Sequence, residues 1–294
     1  MSETASTMAS RPVTGAYSRR WSGRLLRALG YVTISALAVT TVAPFLWMIS
    51  TSLKEPGQVF IYPPVWIPDP VVWSSYIDVW TFVPFDRFFI NTLFVATTVT
   101  TLHLVTCTLA GYAFGRLRFP GRDRLFFLYL GTLMIPGQVT LIPAFVLIKY
   151  LGWIDTYLAL IVPPIFGAFG TFLLRQFFLA IPTELEDAAR IDGASYLGII
   201  VRIIVPLSGP AMATLAIFTF MGQWNSFLWP LVVTNSPKMM VISVGLRFFQ
   251  GSYYTDWPKL MAASSMALVP ILIVFVLGQK YFVRGITLTG ITGR

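Results

Sequence analysis

Residues 88–115 read FFINTLFVATTVTTLHLVTCTLAGYAFG and contain no Asp, Glu, Lys or Arg. An α-helix needs about 20 consecutive, mostly apolar residues to cross the hydrocarbon core of a bilayer. This stretch is long enough and carries no charge that the lipid would have to accommodate. It therefore predicts a transmembrane helix, so the solvent for this part of the chain is lipid rather than water.

Five more stretches of the chain have the same character. None contains an Asp, Glu, Lys or Arg, and none shows the alternating segments of about ten residues that mark a membrane β-barrel. We therefore predict an all-α integral membrane protein with six transmembrane helices. With the first stretch, these helices are predicted at residues 29–53, 88–115, 125–148, 157–174, 204–234 and 260–279.

The overall composition agrees with a membrane protein. The chain of 294 residues is 56% apolar and 11% charged, whereas a soluble domain is about 25% charged. These values exclude an ordinary soluble globule and a disordered chain. The net charge of +9 would suggest a nucleic-acid partner for a soluble protein, but here the basic residues lie between the apolar stretches, so we expect no nucleic-acid partner.

The positions of the basic residues predict the orientation. With the N-terminus inside, 15 of the 21 basic residues fall on the cytoplasmic side, while the 12 acids divide evenly. Basic residues are retained on the cytoplasmic side of membranes, so both termini are predicted to be cytoplasmic. We expect no cleaved signal peptide, a flexible cytoplasmic tail at 1–28, a six-helix domain at 29–283 and a cytoplasmic C-terminal tail at 284–294.

The predicted spans lack the usual signs of catalysis or ion coupling. Charged residues inside a membrane usually mark proton or ion pathways, and His103 is the only histidine, so no histidine cluster can bind a metal. We predict no catalytic residue, no metal site and no enzymatic activity. The chain also lacks a G-x-x-x-x-G-K-[ST] phosphate-binding loop. These features leave a channel, or a transport subunit that a separate ATPase drives.

Uncharged polar residues do occur inside the spans. Buried amides must find partners, either between helices or along a polar path for an uncharged, hydroxyl-rich solute. An amide beside an aromatic ring suits sugar recognition, and the sequence leaves both interpretations open. The candidate path residues are Asn91, Gln138, Gln223, Trp224, Asn225 and Ser226.

Residues 182–206, between the fourth and fifth predicted spans, have the pattern of a helix–turn–helix. Thr183 followed by Glu186 predicts a capping box, and Gly193 can adopt the left-handed conformation that ends a helix. The alternative is an ordinary loop, but an ordinary loop needs neither a cap nor a break. We predict a compact cytoplasmic segment that enters a groove on a partner protein.

The same residues resemble a known family. Asp187-Ala188-Ala189, Gly193, Ile203 and Pro206 are similar in spacing to the EAA loop of ABC importer permeases, with Asp187 where the pattern has Glu. Further similarity is to the carbohydrate-uptake branch, the maltose-type second permease. It lies in Arg190-Ile191-Asp192-Gly193-Ala194, in Trp224-Asn225 through Leu231, and in Tyr281-Phe282-Val283-Arg284-Gly285 through Gly290.

The resemblance implies a type I ABC importer permease fold and a set of partners. These are a homologous permease, two ATPase subunits that bind ATP and Mg²⁺, and an extracytoplasmic solute-binding protein; this chain itself would hold no cofactor. The implied ATPase-docking residues are Glu186, Asp187, Ala188, Ala189, Arg190, Asp192 and Gly193, and the C-terminal tail from Arg284 onward would touch the ATPases. The implied binding-protein contacts are Gly251, Tyr253, Tyr254, Asp256 and Trp257.

The resemblance also implies a solute class and a location. We expect import of a disaccharide, oligosaccharide or polyol across a bacterial or archaeal inner membrane. A glycerol-3-phosphate-like solute remains the alternative, because a partner permease could supply the positive charge. A stand-alone channel and a membrane enzyme are the remaining, disfavoured alternatives.

Overall fold

The computed structural model describes the backbone of residues 16–251 and 253–289, and the side chains of residues 26–251 and 253–279. Within those residues the chain is helical, and the sole strand-like pairing is an isolated bridge between Gln250 and Thr255. The helices are α1 (Ala16–Ser52), α2 (Ser74–Phe82), α3 (Phe85–Arg116), α4 (Arg122–Gly131), α5 (Gly137–Tyr150), α6 (Tyr157–Ile161), α7 (Ala168–Leu179), α8 (Glu184–Ile191), α9 (Tyr196–Ile199), α10 (Val205–Leu207), α11 (Gly209–Trp224), α12 (Leu228–Val233), α13 (Ile242–Gly245) and α14 (Trp257–Thr289).

Three helices are long and apolar enough to cross a membrane without a break, in Leu26–Ser52, Phe85–Arg116 and Trp257–Gln279. They correspond to the first, second and sixth predicted spans. Helix α1 already begins at Ala16, so residues 16–28 are helical where the sequence predicted a flexible tail. Helix α14 likewise continues beyond residue 283, into the predicted C-terminal tail. Residues 1–15 and 290–294 of the two predicted tails lie outside the described residues.

The other three predicted spans are each broken into two bent pieces. The bends measure 100° between Arg122–Met134 and Gly137–Tyr150, 41° between Tyr157–Ile165 and Ala168–Leu179, and 84° between Tyr196–Leu207 and Gly209–Trp224. Proline lacks the N–H that a helix needs and disfavours a helical residue before it. Pro136 follows the extended residue Ile135 at the sharpest bend. Six spans result only if each bent pair counts as one.

The fifth predicted span, residues 204–234, needs a further correction. Helix α11 ends at Trp224, the chain turns at Asn225, and the short helix α12 begins only at Leu228. The polar cluster at residues 223–226 therefore lies at a helix end and not in the middle of a continuous helix. Backbone freed from a helix at membrane depth is tolerated where protein buries it or where it lines a cavity.

Helix α3 lies at the centre of the fold and packs against α7 and α11. Glycine allows the close approach to α7, since a Cβ added at Gly170 would lie 2.7 Å from the Cys107 sulfur and 2.8 Å from His103 Nε2. His103 Nδ1 lies 3.1 Å from the carbonyl oxygen of Pro164. His103 is thus a hydrogen-bonded packing residue between α3 and the bend that precedes α7.

The two ends of α3 contact different parts of the chain. Its first turns pack against the segment at residues 235–259, where Asn91 bonds two carbonyl groups. The segment at residues 54–87 joins them there, because Phe60 packs edge-on against Trp257 with ring centroids 5.8 Å apart. The last turns of α3 contact residues 182–206 instead. Helix α3 therefore connects the two surfaces that the sequence assigned to opposite sides of the membrane.

Candidate functional site

An open cavity of about 600 Å³ lies between the start of α5 and the corner that joins α11 to α12. Three of the predicted path residues line it together: Gln138, Gln223 and Ser226. They come from stretches almost ninety residues apart in the sequence. Its volume lies within the range of about 300–1,000 Å³ that is usual for small-molecule sites.

Two helix breaks bring these side chains together. The chain bends before Pro136, and α5 begins at Gly137. Gln138 therefore lies in the first turn of α5, at the cavity wall. On the other side α11 ends at Trp224, so Gln223 and Ser226 flank the corner. The Ser243 hydroxyl donates a 2.5 Å hydrogen bond to the carbonyl oxygen of Ser226 and fixes that corner.

The cavity wall is uncharged and mostly apolar, with a few polar residues. Among the described residues that line it there is no Asp, Glu, Lys, Arg or His. The polar residues that line it are Gln138, Thr140, Gln223 and Ser226, and Trp229 lines it together with apolar residues. Trp229 is held in place because its Nε1–H donates a 2.8 Å hydrogen bond to the carbonyl of Ala159. Such a wall can hydrogen-bond hydroxyl groups and stack against a sugar ring.

Two predicted path residues are packing residues instead. The side chain of Asn91 is buried, its Nδ2 donates to the carbonyls of Lys238 and Met240, and its Oδ1 accepts from the Tyr157 hydroxyl. Trp224 is also buried, and its Nε1–H donates a 3.0 Å hydrogen bond to the carbonyl of Ala267. Asn91 and Trp224 thus fit the second interpretation from the sequence, in which polar side chains form hydrogen bonds within the protein instead of lining a solute path.

Asn225 lies outside the cavity wall. Its side chain is exposed, and its Nδ2 donates a 2.9 Å hydrogen bond to the carbonyl of Met221 one turn earlier. Sequence reasoning in turn missed Thr140, Phe227 and Trp229 as wall residues. Their positions in the sequence could have indicated them. Thr140 lies shortly after the break at Pro136, and Phe227 and Trp229 lie within three residues of the 223–226 cluster.

The second candidate site is the segment at residues 182–206. Gly193 has φ of +79°, so the predicted left-handed turn is present and separates α8 from α9. Ala189 is half-buried. The side of α8 and of the turn that faces away from the protein exposes Asp187, Ala188, Arg190, Asp192 and Gly193.

The predicted capping box is wrong. Thr183 has helical backbone angles, and its side chain forms no capping hydrogen bond. Glu186 instead turns inward and is only 3% exposed, with its carboxylate against Tyr112 and Arg116. Its carboxylate pairs with the buried Arg116 guanidinium instead of the Thr183 backbone N–H. Glu186 thus does not share the exposed face of the other predicted docking residues.

The third candidate site is the turn at residues 251–257. Tyr253 and Tyr254 are exposed, and the Gly251 N–H donates a 2.9 Å hydrogen bond to the Tyr254 carbonyl. The Asp256 carboxylate pairs with the Lys259 ammonium at 2.7 Å. Trp257 is half-buried against Phe60. The two tyrosines are therefore free to contact a partner, while Asp256 and Trp257 mainly hold the turn in place.

No group of three or more His, Cys, Asp or Glu side chains that could bind a metal ion occurs in the part of the chain that the structure describes.

Comparison with known proteins gives a consistent result. Residues 107–288 match the family model described as "Binding-protein-dependent transport system inner membrane component". The chain is 34% identical over 282 residues to the arabinooligosaccharides transport system permease protein AraQ of Halalkalibacterium halodurans, covering 94% of this chain and all of that protein. It is 34% identical over 250 residues to the sn-glycerol-3-phosphate transport system permease protein UgpE of Yersinia pestis, covering 82% of this chain and 89% of that protein.

A solved structure has the same fold. It is a crystal structure of a bacterial ABC transporter involved in the import of the acidic polysaccharide alginate, and one of its chains superposes with a TM-score of 0.81 at 24% identity. The match covers 94% of this chain and all of that one. The bent helix pairs are thus compatible with the predicted type I ABC importer permease fold.

Proposed function

The chain belongs to the family of binding-protein-dependent transport system inner membrane components, and we propose from this that it forms one half of the solute pathway of an ATP-driven importer for a sugar or sugar-like solute. As a member of that family it is a multi-pass inner-membrane permease subunit. The observation that supports the solute class is the uncharged, amide- and tryptophan-lined cavity of about 600 Å³.

The lining of this cavity suits a neutral, hydroxyl-rich solute. Gln138 and Gln223 each offer a donor and an acceptor, which matches the mixed donor and acceptor character of a hydroxyl group. Trp229 presents an aromatic ring to the same cavity. Because the described lining residues include no cation, a phosphate or carboxylate group would find no counter-charge in this cavity.

Energy for uphill transport would come from separate ATPase subunits. The exposed face of α8, with Asp187, Ala188 and Gly193, presents small and charged groups that could enter a groove on such a partner. The chain itself carries no phosphate-binding loop. ATP and Mg²⁺ would accordingly bind to the partner, and this chain would hydrolyse nothing.

Two further partners complete the proposal. The cavity is open on one side, so a homologous permease would supply the facing wall of the pathway. A solute-binding protein would dock on the opposite end of α3 from the ATPase, where Tyr253 and Tyr254 are exposed. The inside-positive charge distribution of the sequence predicts a cytoplasmic 182–206 segment and tyrosines 253 and 254 on the outer side.

A glycerol-3-phosphate-like solute is the second candidate. The observation in its favour is the relative in Yersinia pestis, whose name gives sn-glycerol-3-phosphate as its solute. In that case the homologous permease or the binding protein would supply the cation that this chain's cavity lacks.

The test is to purify the complete complex from its native host and measure ATP hydrolysis with a panel of solutes. The panel contains neutral disaccharides, oligosaccharides and polyols, with glycerol-3-phosphate as the charged member. We expect one of the neutral solutes to stimulate hydrolysis and to accumulate in proteoliposomes when ATP is supplied. Stimulation by glycerol-3-phosphate alone would favour the second candidate.

A control uses this chain by itself in proteoliposomes. We expect no uphill accumulation, because the sequence contains no phosphate-binding loop. Accumulation by the isolated chain would contradict the proposal that a separate ATPase drives it.

A further inference from the structure

Both carboxylate oxygens of Glu186 are engaged inside the protein. The Tyr112 hydroxyl donates a 2.9 Å hydrogen bond to Oε2, and Nε of Arg116 lies 3.0 Å from Oε1. The Glu186 and Arg116 side chains are only 3% and 7% exposed. One turn further along α8, the half-exposed Arg190 lies 3.6 Å from Oε2. A residue of the predicted docking helix is therefore fastened to the last two turns of α3.

Arg116 joins a third element to this pair. It is the last residue of α3, and its Nη2 donates to the carbonyls of Phe178 and Ile181, at the end of α7 and just beyond it. Carbonyls at a helix C-terminus lack partners within the helix and carry partial negative charge. The guanidinium of Arg116 satisfies these carbonyls and at the same time lies at ion-pair distance from the Glu186 carboxylate.

Apolar packing around these polar contacts makes the connection stiff. Tyr112 belongs to a buried cluster with Leu174 and Phe178 of α7 and with Ile199 of α9. Removing one member of a buried ion pair leaves the other charge without compensation, which is strongly unfavourable. Helix α8 therefore cannot shift against the end of α3 without breaking these contacts.

We propose that Tyr112, Arg116 and Glu186 form a rigid linkage that makes α3 follow α8 whenever an ATPase subunit moves the 182–206 segment. This inference rests on the proposed function as an ATP-driven permease. The three are positioning residues, because none of them lines the cavity and none itself lies on the exposed face of α8, although Glu186 contacts Arg190 of that face. Helix α3 packs against α11, which carries Gln223, so a movement of α3 reaches the cavity through α11.

The far end of α3 offers a second route for the same movement. Asn91 bonds the carbonyls of Lys238 and Met240, in the segment that leads to the exposed tyrosines 253 and 254. A displacement that begins at α8 is therefore transmitted along one continuous helix to the surface proposed for the binding protein.

The experiment compares three single variants and the double variant Tyr112→Phe/Glu186→Gln in the complete purified complex. Tyr112→Phe removes only the hydroxyl that bonds Glu186, and Glu186→Gln removes the charge while keeping the shape. Tyr129→Phe is the matched control, because this α4 tyrosine stacks near Phe114 of α3 and its hydroxyl forms no hydrogen bond with the described residues. The readouts are solute transported per ATP hydrolysed, ATPase stimulation by solute-loaded binding protein, co-purification of the ATPase subunits and the thermal midpoint of the complex.

We expect Tyr112→Phe and Glu186→Gln to lower the ratio of solute transported to ATP hydrolysed about fivefold or more. A change of this size is typical when the energetic coupling between two sites of a protein is lost. Tyr112→Phe is expected to keep its ATPase subunits and to lower the thermal midpoint only by the loss of one buried hydrogen bond, a small change that a purely structural role would not match to the fall in this ratio. The double variant is expected to be no worse than Glu186→Gln alone, since both changes break the same linkage. Tyr129→Phe is expected to match the wild type.

Each contrary result has a distinct meaning. An unchanged ratio in Tyr112→Phe, within a complex whose wild type transports, overturns the linkage even if Glu186→Gln fails to fold. Loss of the ATPase subunits from both variants overturns it in favour of direct docking by Glu186. A wild-type complex with no solute-stimulated hydrolysis overturns the proposed function, and the linkage with it.

Discussion

The hydroxyl of Tyr157 donates a 2.7 Å hydrogen bond to Oδ1 of Asn91 and so ties α6 to α3. The same amide gives both of its protons to the carbonyls of Lys238 and Met240. A polar side chain in a membrane helix thereby has every partner that it needs within the protein. Asn91 is consequently a structural residue rather than part of a solute path.

This arrangement predicts that Asn91→Leu destabilises the protein. Interhelical hydrogen bonds in membrane proteins average about 0.6 kcal/mol, so losing three of them should cost about 2 kcal/mol. The thermal midpoint of the purified protein in detergent measures this loss. Asn225→Leu is the control, because it removes one local bond from an exposed side chain. Equal midpoints for the two variants would contradict the structural role of Asn91.

A second prediction concerns the cavity. Gln223→Leu removes a polar group from the wall, so the Michaelis constant for uptake should rise about fivefold, as expected when a hydrogen bond worth about 1 kcal/mol is lost. Asn225→Leu, two residues away but outside the wall, should leave uptake near the wild-type level. Initial uptake rates in proteoliposomes containing the complete complex provide the measurement. A larger effect at Asn225 than at Gln223 would refute the assignment of the cavity.

A third prediction uses two glycines with nearly the same backbone. Gly193 has φ of +79° and Gly121 has φ of +78°, and a Cβ would meet no neighbouring atom at either position. Valine at either site should therefore cost about 1–2 kcal/mol of backbone strain. Only Gly193→Val should uncouple ATP hydrolysis from uptake, because only Gly193 lies in the proposed docking face. Matching uncoupling in Gly121→Val would show that general destabilisation is the cause.

A fourth prediction concerns pH. Burial would raise the pKa of the Asp155 carboxyl, but hydrogen bonds from Ser236 and from the Asn235 N–H outweigh it and lower the pKa below the ordinary value. A carboxyl with a lowered pKa in the folded state stabilises the protein above the unfolded-state pKa of about 3.9, and this contribution is lost as the pH falls below that value.

Thermal midpoints of the wild type and of Asp155→Ala, measured between neutral pH and acid, test this. The difference between them should be constant at neutral pH and should shrink as the pH drops below about 4, since the unfolded carboxyl has a pKa of about 3.9. A difference that grows in acid would mean that the sign of the pKa shift is wrong.

The sequence by itself determined the membrane class and the positions of the apolar segments. Uncharged apolar runs such as residues 88–115 can satisfy their backbone in lipid only as helices, so length and composition were sufficient. Residue spacing around Asp187 and Gly193 was likewise sufficient to locate the predicted docking segment. The apolar segments and the docking motif both depend on residues that are close together in the sequence, so the sequence alone is enough to predict them.

Only the tertiary structure decided what each polar side chain does. Gln138 and Gln223 line the same cavity because helices break at Pro136 and Trp224. Asn91 is equally polar, but its amide is fully hydrogen-bonded to the Tyr157 hydroxyl and two backbone carbonyls. Glu186 turned away from its predicted cap because Tyr112 and Arg116, some seventy residues earlier, lie beside it in the fold. The physical reason is that a polar group in a low-dielectric interior takes whichever partner the packing of distant segments brings within reach.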